Sequence, residues 1–334
     1  MLAAGPTAFV VTLAACPPVI LGLRRSQVLD RPGTRSSHVA PVPRGVGLAV
    51  GAGGISAALL SSGLSDWKMA LILVSGAFGL LGLIEDLRGV SSLRRLFVQA
   101  LIAVAALPLL LRELSGPTPW RLLFACGVLL WLVSYVNAFN FMDGINGISA
   151  VQAAVAGASW WAIGNAEGIT ALEVGGAIVA GAAAGFAPFN FPRARGFLGD
   201  VGSYFLGAWM AVLVVIGLRA GLAPEAVVAP VSVALVDTLW TLVGRVRRGE
   251  RWHEPHRDHV YQRLVAGGWS HTGTTLFVGA FLVAISCLGS MTLAISAISA
   301  RFALDLTIAA VLVAYVQSPR LAARRANSGT AATH

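Results

Sequence analysis

In 334 residues the chain carries 56% apolar and only 12% charged side chains, against about 25% charged in a soluble domain. A pair of water-soluble domains is therefore excluded, although the length would allow it. The net charge of +9 could suit nucleic acid, but the basic residues follow the loops between apolar runs, so no nucleic-acid partner is expected.

The runs are about 17–21 residues long, enough to cross a hydrocarbon layer at about 1.5 Å per residue. The expected fold is all-α, a polytopic membrane protein with spans at about 3–23, 45–62, 68–84, 96–111, 121–138, 147–164, 170–189, 202–218, 226–243, 274–295 and 302–317. The first run has no basic segment before it and ends at Arg24-Arg25, so it reads as a membrane helix and not as a cleaved leader. With the N-terminus outside, 19 of the 24 Lys and Arg residues fall in cytoplasmic loops or the tail; Lys68, Arg112, Arg121, Arg219 and Arg301 lie outside. Residues 1–317 form one transmembrane unit without internal repeats, and 318–334 is a short basic cytoplasmic tail expected to be disordered. Cys16, Cys126 and Cys287 all lie in apolar runs and read as small packing residues.

The same orientation collects the unusual polar groups on one side. In chain order these are the loop from Arg31 to Gly47, Glu85-Asp86 at the end of the third span, the segment Asn137–Gly147, Gly196–Ser203 at the start of the eighth span, and the loop from Arg245 to His271. Each has a plain alternative. Glu85-Asp86 could be a solvated helix end, Asp200 could cap its own helix, and Asp143-Gly144 and Asn146-Gly147 are common turn pairs. A turn, however, requires neither Asn137 and Asn140 one helical turn apart nor carboxylates at three helix ends on one side. Polar groups at membrane depth cost about 2.5–3.5 kcal/mol each when ionised, so the clustering favours a site. Asp237, inside the ninth span, is open to two readings: a functional acid, or a structural partner of Arg245 two turns on. Asp305 is similarly ambiguous.

A carboxylate beside an amide oxygen suits a hard cation such as Mg²⁺, with Mn²⁺ as a substitute. The glycines of 196–202 let the backbone approach an anion at a helix N-terminus. His253, His256 and His259 lack the spacing of a helical zinc motif, and Pro255 interrupts them. Phosphate contact, a proton role or plain solvation remain open for them.

The stretches Asn137-Ala-Phe-Asn-Phe-Met-Asp-Gly-Ile-Asn-Gly147, Phe197-Leu-Gly-Asp-Val-Gly-Ser203, His256-Arg-Asp-His-Val-Tyr-Gln-Arg-Leu264 and Asp30-Arg-Pro-Gly-Thr-Arg-Ser-Ser-His38 resemble the polyprenyl-phosphate N-acetylhexosamine-1-phosphate transferases, glycosyltransferase family 4. The form of the first and last loops is similar to the branch that starts surface polysaccharides such as O-antigen. The resemblance implies a Mg²⁺-dependent enzyme of the bacterial plasma membrane with its site facing the cytoplasm. It would transfer an N-acetylamino-sugar 1-phosphate from a UDP-N-acetylhexosamine to undecaprenyl phosphate and release UMP. It also implies roles: Asp200 as metal carboxylate with Asn140 beside it, and Glu85 and Asp86 as the acidic pair that deprotonates or positions the lipid phosphate. Asp143, Asn146 and Asn137 map to substrate positions on the nucleotide side. Arg35, His38, Arg44, His256, Arg257 and His259 map to loops that contact phosphate or sugar. Departures from the usual pattern are Glu85 for Asp, Asn146 for Asp, Ser36 for Lys and Val46 for Gly. Expected partners are the polyprenyl phosphate lipid, the UDP-sugar, the bilayer and a second copy in a homodimer. The competing class is a secondary transporter for an anionic solute, with Asp237 on its path.

Overall fold

The computed structural model describes residues 3–31, 40–61, 63–112, 114, 116–250 and 257–331, with side chains as far as 322. Arg35, His38 and His256 therefore lie outside the described residues. Every one of the eleven expected segments is helical. The helices are α1 (Ala4–Arg25), α2 (Gly47–Leu60), α3 (Asp66–Arg88), α4 (Ser92–Leu110), α5 (Thr118–Met142), α6 (Ile148–Glu167), α7 (Thr170–Asn190), α8 (Gly199–Arg219), α9 (Pro224–Val228), α10 (Ser232–Arg247), α11 (Val260–Ala266), α12 (His271–Met291) and α13 (Ile298–Ala331). Among the described residues, nine helical stretches are long and apolar enough to cross a membrane. The two expected spans that miss this standard are α2, which has only 14 residues, and α6, whose apolar run is diluted by Gln152 and Asn165. This is a multi-pass, all-helical membrane protein.

Helix α8 is the axis of the bundle. Its sequence is apolar on all sides after the first turn, and such a helix has no face to give to water; it is accordingly buried along nearly its whole length. Helices α2, α3, α5 and α7 all pack on it. The closest approaches depend on missing side chains. A Cβ on Gly82 of α3 would lie 2.2 Å from the Asp200 carbonyl oxygen, and one on Gly47 of α2 would lie 2.2 Å from the Gly202 Cα. The first turn of α8 is thus gripped by two backbones. Helix packing through small residues is the usual route to close contact in a membrane, where apolar burial gives little drive.

Two segments differ from the sequence expectation. The ninth span is a broken element: α9 ends in a 3-10 turn, Ala229–Val231, containing Pro230, before α10 begins. Proline has no N–H to continue the ladder, which accounts for the break. The last helix is drawn through Ala331, past the boundary expected at 317. In the first loop a two-residue antiparallel pair joins β1 (Leu29–Asp30) to β2 (Val42–Pro43).

Gly82→Ala is expected to lower stability by about 1–3 kcal/mol, the usual effect of overpacking, while Gly76→Ala on the same helix, with open space at its Cβ, is expected to be neutral or mildly stabilising. Thermal unfolding of both variants in detergent checks this; equal midpoints would contradict the close contact.

Candidate active site

The N-terminus of α8 reaches the site with N–H groups that the helix cannot satisfy itself. Leu198 at the cap position offers no side-chain acceptor. Asp86, near the end of α3, supplies both bonds: its Oδ1 accepts from the Asp200 N–H at 3.0 Å and its Oδ2 from the Val201 N–H at 2.9 Å. Asp200 itself sits inside the first turn, so it is not the cap of its own helix. The capping is done across the bundle.

Arg44 completes the arrangement. Its Nε lies 2.8 Å from Asp86 Oδ1 and its Nη2 lies 2.7 Å from Asp200 Oδ2. The backbone places it there: Phe197 N–H donates to the Pro43 carbonyl at 2.8 Å, Val46 N–H to the Phe197 carbonyl at 3.0 Å and Gly47 N–H to the Leu198 carbonyl at 2.8 Å. The first loop is zipped to the entry of α8 at Arg44 and Phe197. Burial would lower the Arg44 pKa, but Asp200, Asp86 and Asp30 outweigh it and hold the guanidinium above its ordinary value. Asp86 is sealed, with 1% of its side chain exposed, whereas Asp200 retains 12% and Arg44 41%. The two charges that can meet a ligand are therefore Arg44 and Asp200.

Helix α5 brings the amides. Asn140 Nδ2 donates to Asp200 Oδ1 at 2.7 Å and to Ser203 Oγ at 2.8 Å. Three residues on, Asp143 ends the helix and accepts from Ser149 Oγ at 2.7 Å. It keeps some solvent contact, yet burial pushes its carboxyl up to about 6, Ser149 opposes that shift, and the nearby Asp200 adds to it. Asn137, one turn before Asn140, bonds instead to Gln99 of α4, with Nδ2 to Oε1 at 2.6 Å. Asn146 reaches the Pro192 carbonyl at 3.1 Å. Beside it the Gly147 N–H donates to Asn190 Oδ1 at 2.7 Å, locking the α5–α6 turn to the end of α7. Glu85 pairs with Arg95 of α4 at 3.4 Å.

The histidine loop is anchored from within the bundle. His259 Nδ1 lies 3.0 Å from Asp237 Oδ1, the Val260 N–H donates to both Asp237 oxygens, and the Tyr315 hydroxyl donates to Asp237 Oδ2 at 2.7 Å. Asp237 thus ties α10, α11 and α13 together; the expected pairing with Arg245 is not formed, because Arg245 points to Glu250 and Asp258 instead. Tyr261 carries the loop to the site, its hydroxyl donating to the Phe141 carbonyl at 2.9 Å, one residue after Asn140. Arg257 is exposed. Of the expected site residues, Asp86, Asp200, Arg44 and Asn140 form one contact group. Asp143 and His259 flank it, while Asn137 and Glu85 are joined to α4 and Asn146 to the connection between α7 and α8. Sequence reading missed Gln99, Arg95, Ser149 and Tyr315 and gave Ser203 and Tyr261, quoted only as members of their motifs, no role; in each case only the partner reveals it.

No group of three or more His, Cys, Asp and Glu side chains is arranged to hold a metal ion among the described residues. A hard cation does not need one, since Mg²⁺ commonly takes one or two carboxylates and completes its shell with water and phosphate. Asp200, solvent-reachable, with Oδ1 accepting from the Asn140 amide and Oδ2 beside Arg44, supplies a single carboxylate of the kind that donor chemistry uses.

The profile of Glycosyl transferase family 4 matches residues 68–218, the stretch that contains Asp86, Asn140 and Asp200. The chain is 29% identical to the "Probable undecaprenyl-phosphate N-acetylglucosaminyl 1-phosphate transferase" of Bacillus subtilis, over 86% of this chain and 82% of that protein. It is 32% identical to the decaprenyl-phosphate N-acetylglucosaminephosphotransferase of Mycobacterium tuberculosis, over 82% of this chain and 78% of that one. It is 29% identical to the undecaprenyl-phosphate alpha-N-acetylglucosaminyl 1-phosphate transferase of Thermotoga maritima, over 80% and 82%. By these matches the chain belongs to glycosyl transferase family 4, as a relative of the polyprenyl-phosphate N-acetylglucosamine-1-phosphate transferases.

Proposed function

We propose that the protein transfers N-acetylglucosamine 1-phosphate from UDP-N-acetylglucosamine to a polyprenyl phosphate and releases UMP. The observation that carries this reading is the Arg44 bridge: a part-exposed guanidinium and a solvent-reachable carboxylate sit together at the N-terminus of a buried helix. Arg44, Asp86 and Asp200 together carry one net negative charge, so phosphate would be accepted beside the exposed edge of Arg44 once Asp200 holds a divalent cation, and both substrates are phosphates. The relatives named above support the choice of sugar and acceptor. We also read α2 and α6 as crossings, giving eleven, with the N-terminus outside and the site at the cytoplasmic face of the plasma membrane, because the Lys and Arg distribution favours that orientation. A transport path through Asp237 finds no support, since that acid is fully enclosed and committed to four groups.

The lipid phosphate has a second pKa of about 6, so near neutral pH it is a dianion and needs no base. Its oxygen forms the new bond to the β-phosphorus in line, and the bond from that phosphorus to the bridging oxygen breaks with its electron pair leaving on UMP. Arg44 balances the charge gathered by two anions. Asp200, with Asn140 beside it, would hold Mg²⁺, which supplies further neutralisation of the diphosphate. Asp86, with both oxygens engaged by backbone and Arg44, positions Asp200 and Arg44 and does not act as a base. Asp143 in its ionised form accepts a hydrogen bond from the nucleotide.

Purified protein in detergent with undecaprenyl phosphate and Mg²⁺ should release UMP from UDP-N-acetylglucosamine in preference to UDP-N-acetylgalactosamine. Asp200→Asn should lower the rate by about 10²-fold or more without loss of folded yield. Unchanged turnover in that variant would sink the site assignment. A pH series checks Asp143 separately. Its carboxyl, raised to about 6 by burial, gains a proton as pH falls through that value, so KM for the UDP-sugar should rise below about pH 6. Asp143→Asn should show a raised KM without that pH dependence.

A further inference from the structure

Beside the histidine loop, at the same end of the bundle as the site, lies a cavity of about 520 Å³ between α10, α11 and α13. Four arginines line it: Arg247 and Arg248 at the end of α10, Arg263 on α11 and Arg320 on α13. Two acids are also present, Glu250 and Asp258, and both are shared between Arg245 and Arg248. Arg247, Arg263 and Arg320 have no acidic partner among the described residues. Among the described residues, four lining arginines against two lining acids leave about two positive charges in excess. Such an accumulation repels itself unless an anion enters.

The surroundings say which kind of anion. Trp240 forms part of the wall. The same helix exposes Leu239, Trp240, Val243 and Val246 on its surface, in a stretch apolar enough to cross a membrane. A tryptophan beside arginines at the end of an apolar helix marks the headgroup level of a bilayer. Basic pockets between transmembrane helices at that level take lipid headgroups, and the volume lies within the range of small-ligand sites. None of the groups assigned to catalysis lines this space.

We propose that this cavity is a binding site for the phosphodiester headgroup of an anionic membrane phospholipid, separate from the substrate site. The headgroup phosphate meets Arg247, Arg263 and Arg320, and the acyl chains follow the apolar face of α10. Because His259 caps α11, a bound lipid ties the histidine loop to α10 and α13 from the membrane side.

The test is native mass spectrometry of the full chain released from nanodiscs containing equal amounts of phosphatidylglycerol and phosphatidylcholine with the same acyl chains. The wild type should retain phosphatidylglycerol preferentially, by about fivefold for each contributing arginine. The variant with Arg247→Gln, Arg263→Gln and Arg320→Gln should lose that preference. A control with Arg24→Gln, Arg25→Gln and Arg88→Gln, all exposed at the same end, should keep it. If the triple variant does not purify folded, Arg320→Gln alone should cut the preference by about fivefold. Equal retention of the two lipids by the wild type overturns the proposal, as does equal loss in the control. Displacement of phosphatidylglycerol by millimolar inorganic phosphate would make the cavity a free-anion site. Stronger retention of undecaprenyl phosphate through the same arginines would make it part of the acceptor site. Either result overturns the phospholipid assignment.

Discussion

Everything around the site depends on how the buried N-terminus of α8 is satisfied. A helix end enclosed by protein must find acceptors for its free N–H groups, and a buried unsatisfied donor costs about 1–3 kcal/mol. Asp86 accepts from two of them. This leaves a buried carboxylate that needs a counter-charge, and Arg44 provides it. Removing one member of such a buried pair costs about 3–5 kcal/mol, less here because the guanidinium is partly solvated. The consequence for function is a division of labour between two acids. Asp86 is locked in place, and Asp200 is held within the first turn of α8 with its carboxylate turned toward Arg44 and Asn140.

A second constraint fixes the opposite wall. Asp237 is wholly enclosed in α10, and a buried acid is tolerable only when every oxygen is engaged. His259, the Val260 N–H and Tyr315 meet that need, so the start of α11 is pinned to the membrane helices and not left to loop packing. Tyr261 then reaches across to the Phe141 carbonyl. The histidine loop and the end of α5 are thereby held at a set distance. Asn140 and Asp200 sit on helices, and Arg44 sits on a loop segment zipped to the entry of α8, so all three are held in place by backbone contacts.

Hydropathy made the helices legible because a membrane span must satisfy its backbone internally, and each expected segment is indeed helical. The clustering of Asn140, Asp143 and Asp200 was also legible, since polar groups recur at helix ends on one side. What the sequence could not reveal is which polar group satisfies which. Asp86 and Asp200 are 114 residues apart, and nothing local distinguishes an acid that caps a distant helix from one that faces solvent. For the same reason Asn137 read as a site residue, although Gln99, 38 residues earlier, takes its amide. Asp237 likewise could be read as a functional acid or as the partner of Arg245 two turns on, while most of its partners come from other elements. The central place of α8 was hidden too, because an all-round apolar helix looks the same facing lipid or facing protein.

The central claim is that Arg44 and Asp86 act as one unit that sets the position of Asp200. A double-mutant cycle on the rate of UMP release, with Arg44→Gln, Asp86→Asn and the combined variant, measures that directly. The account predicts strong non-additivity: the double variant should be about as slow as the slower single one, because either change already releases the same turn of α8. Effects that simply multiply would show that the two residues act independently and would contradict the account.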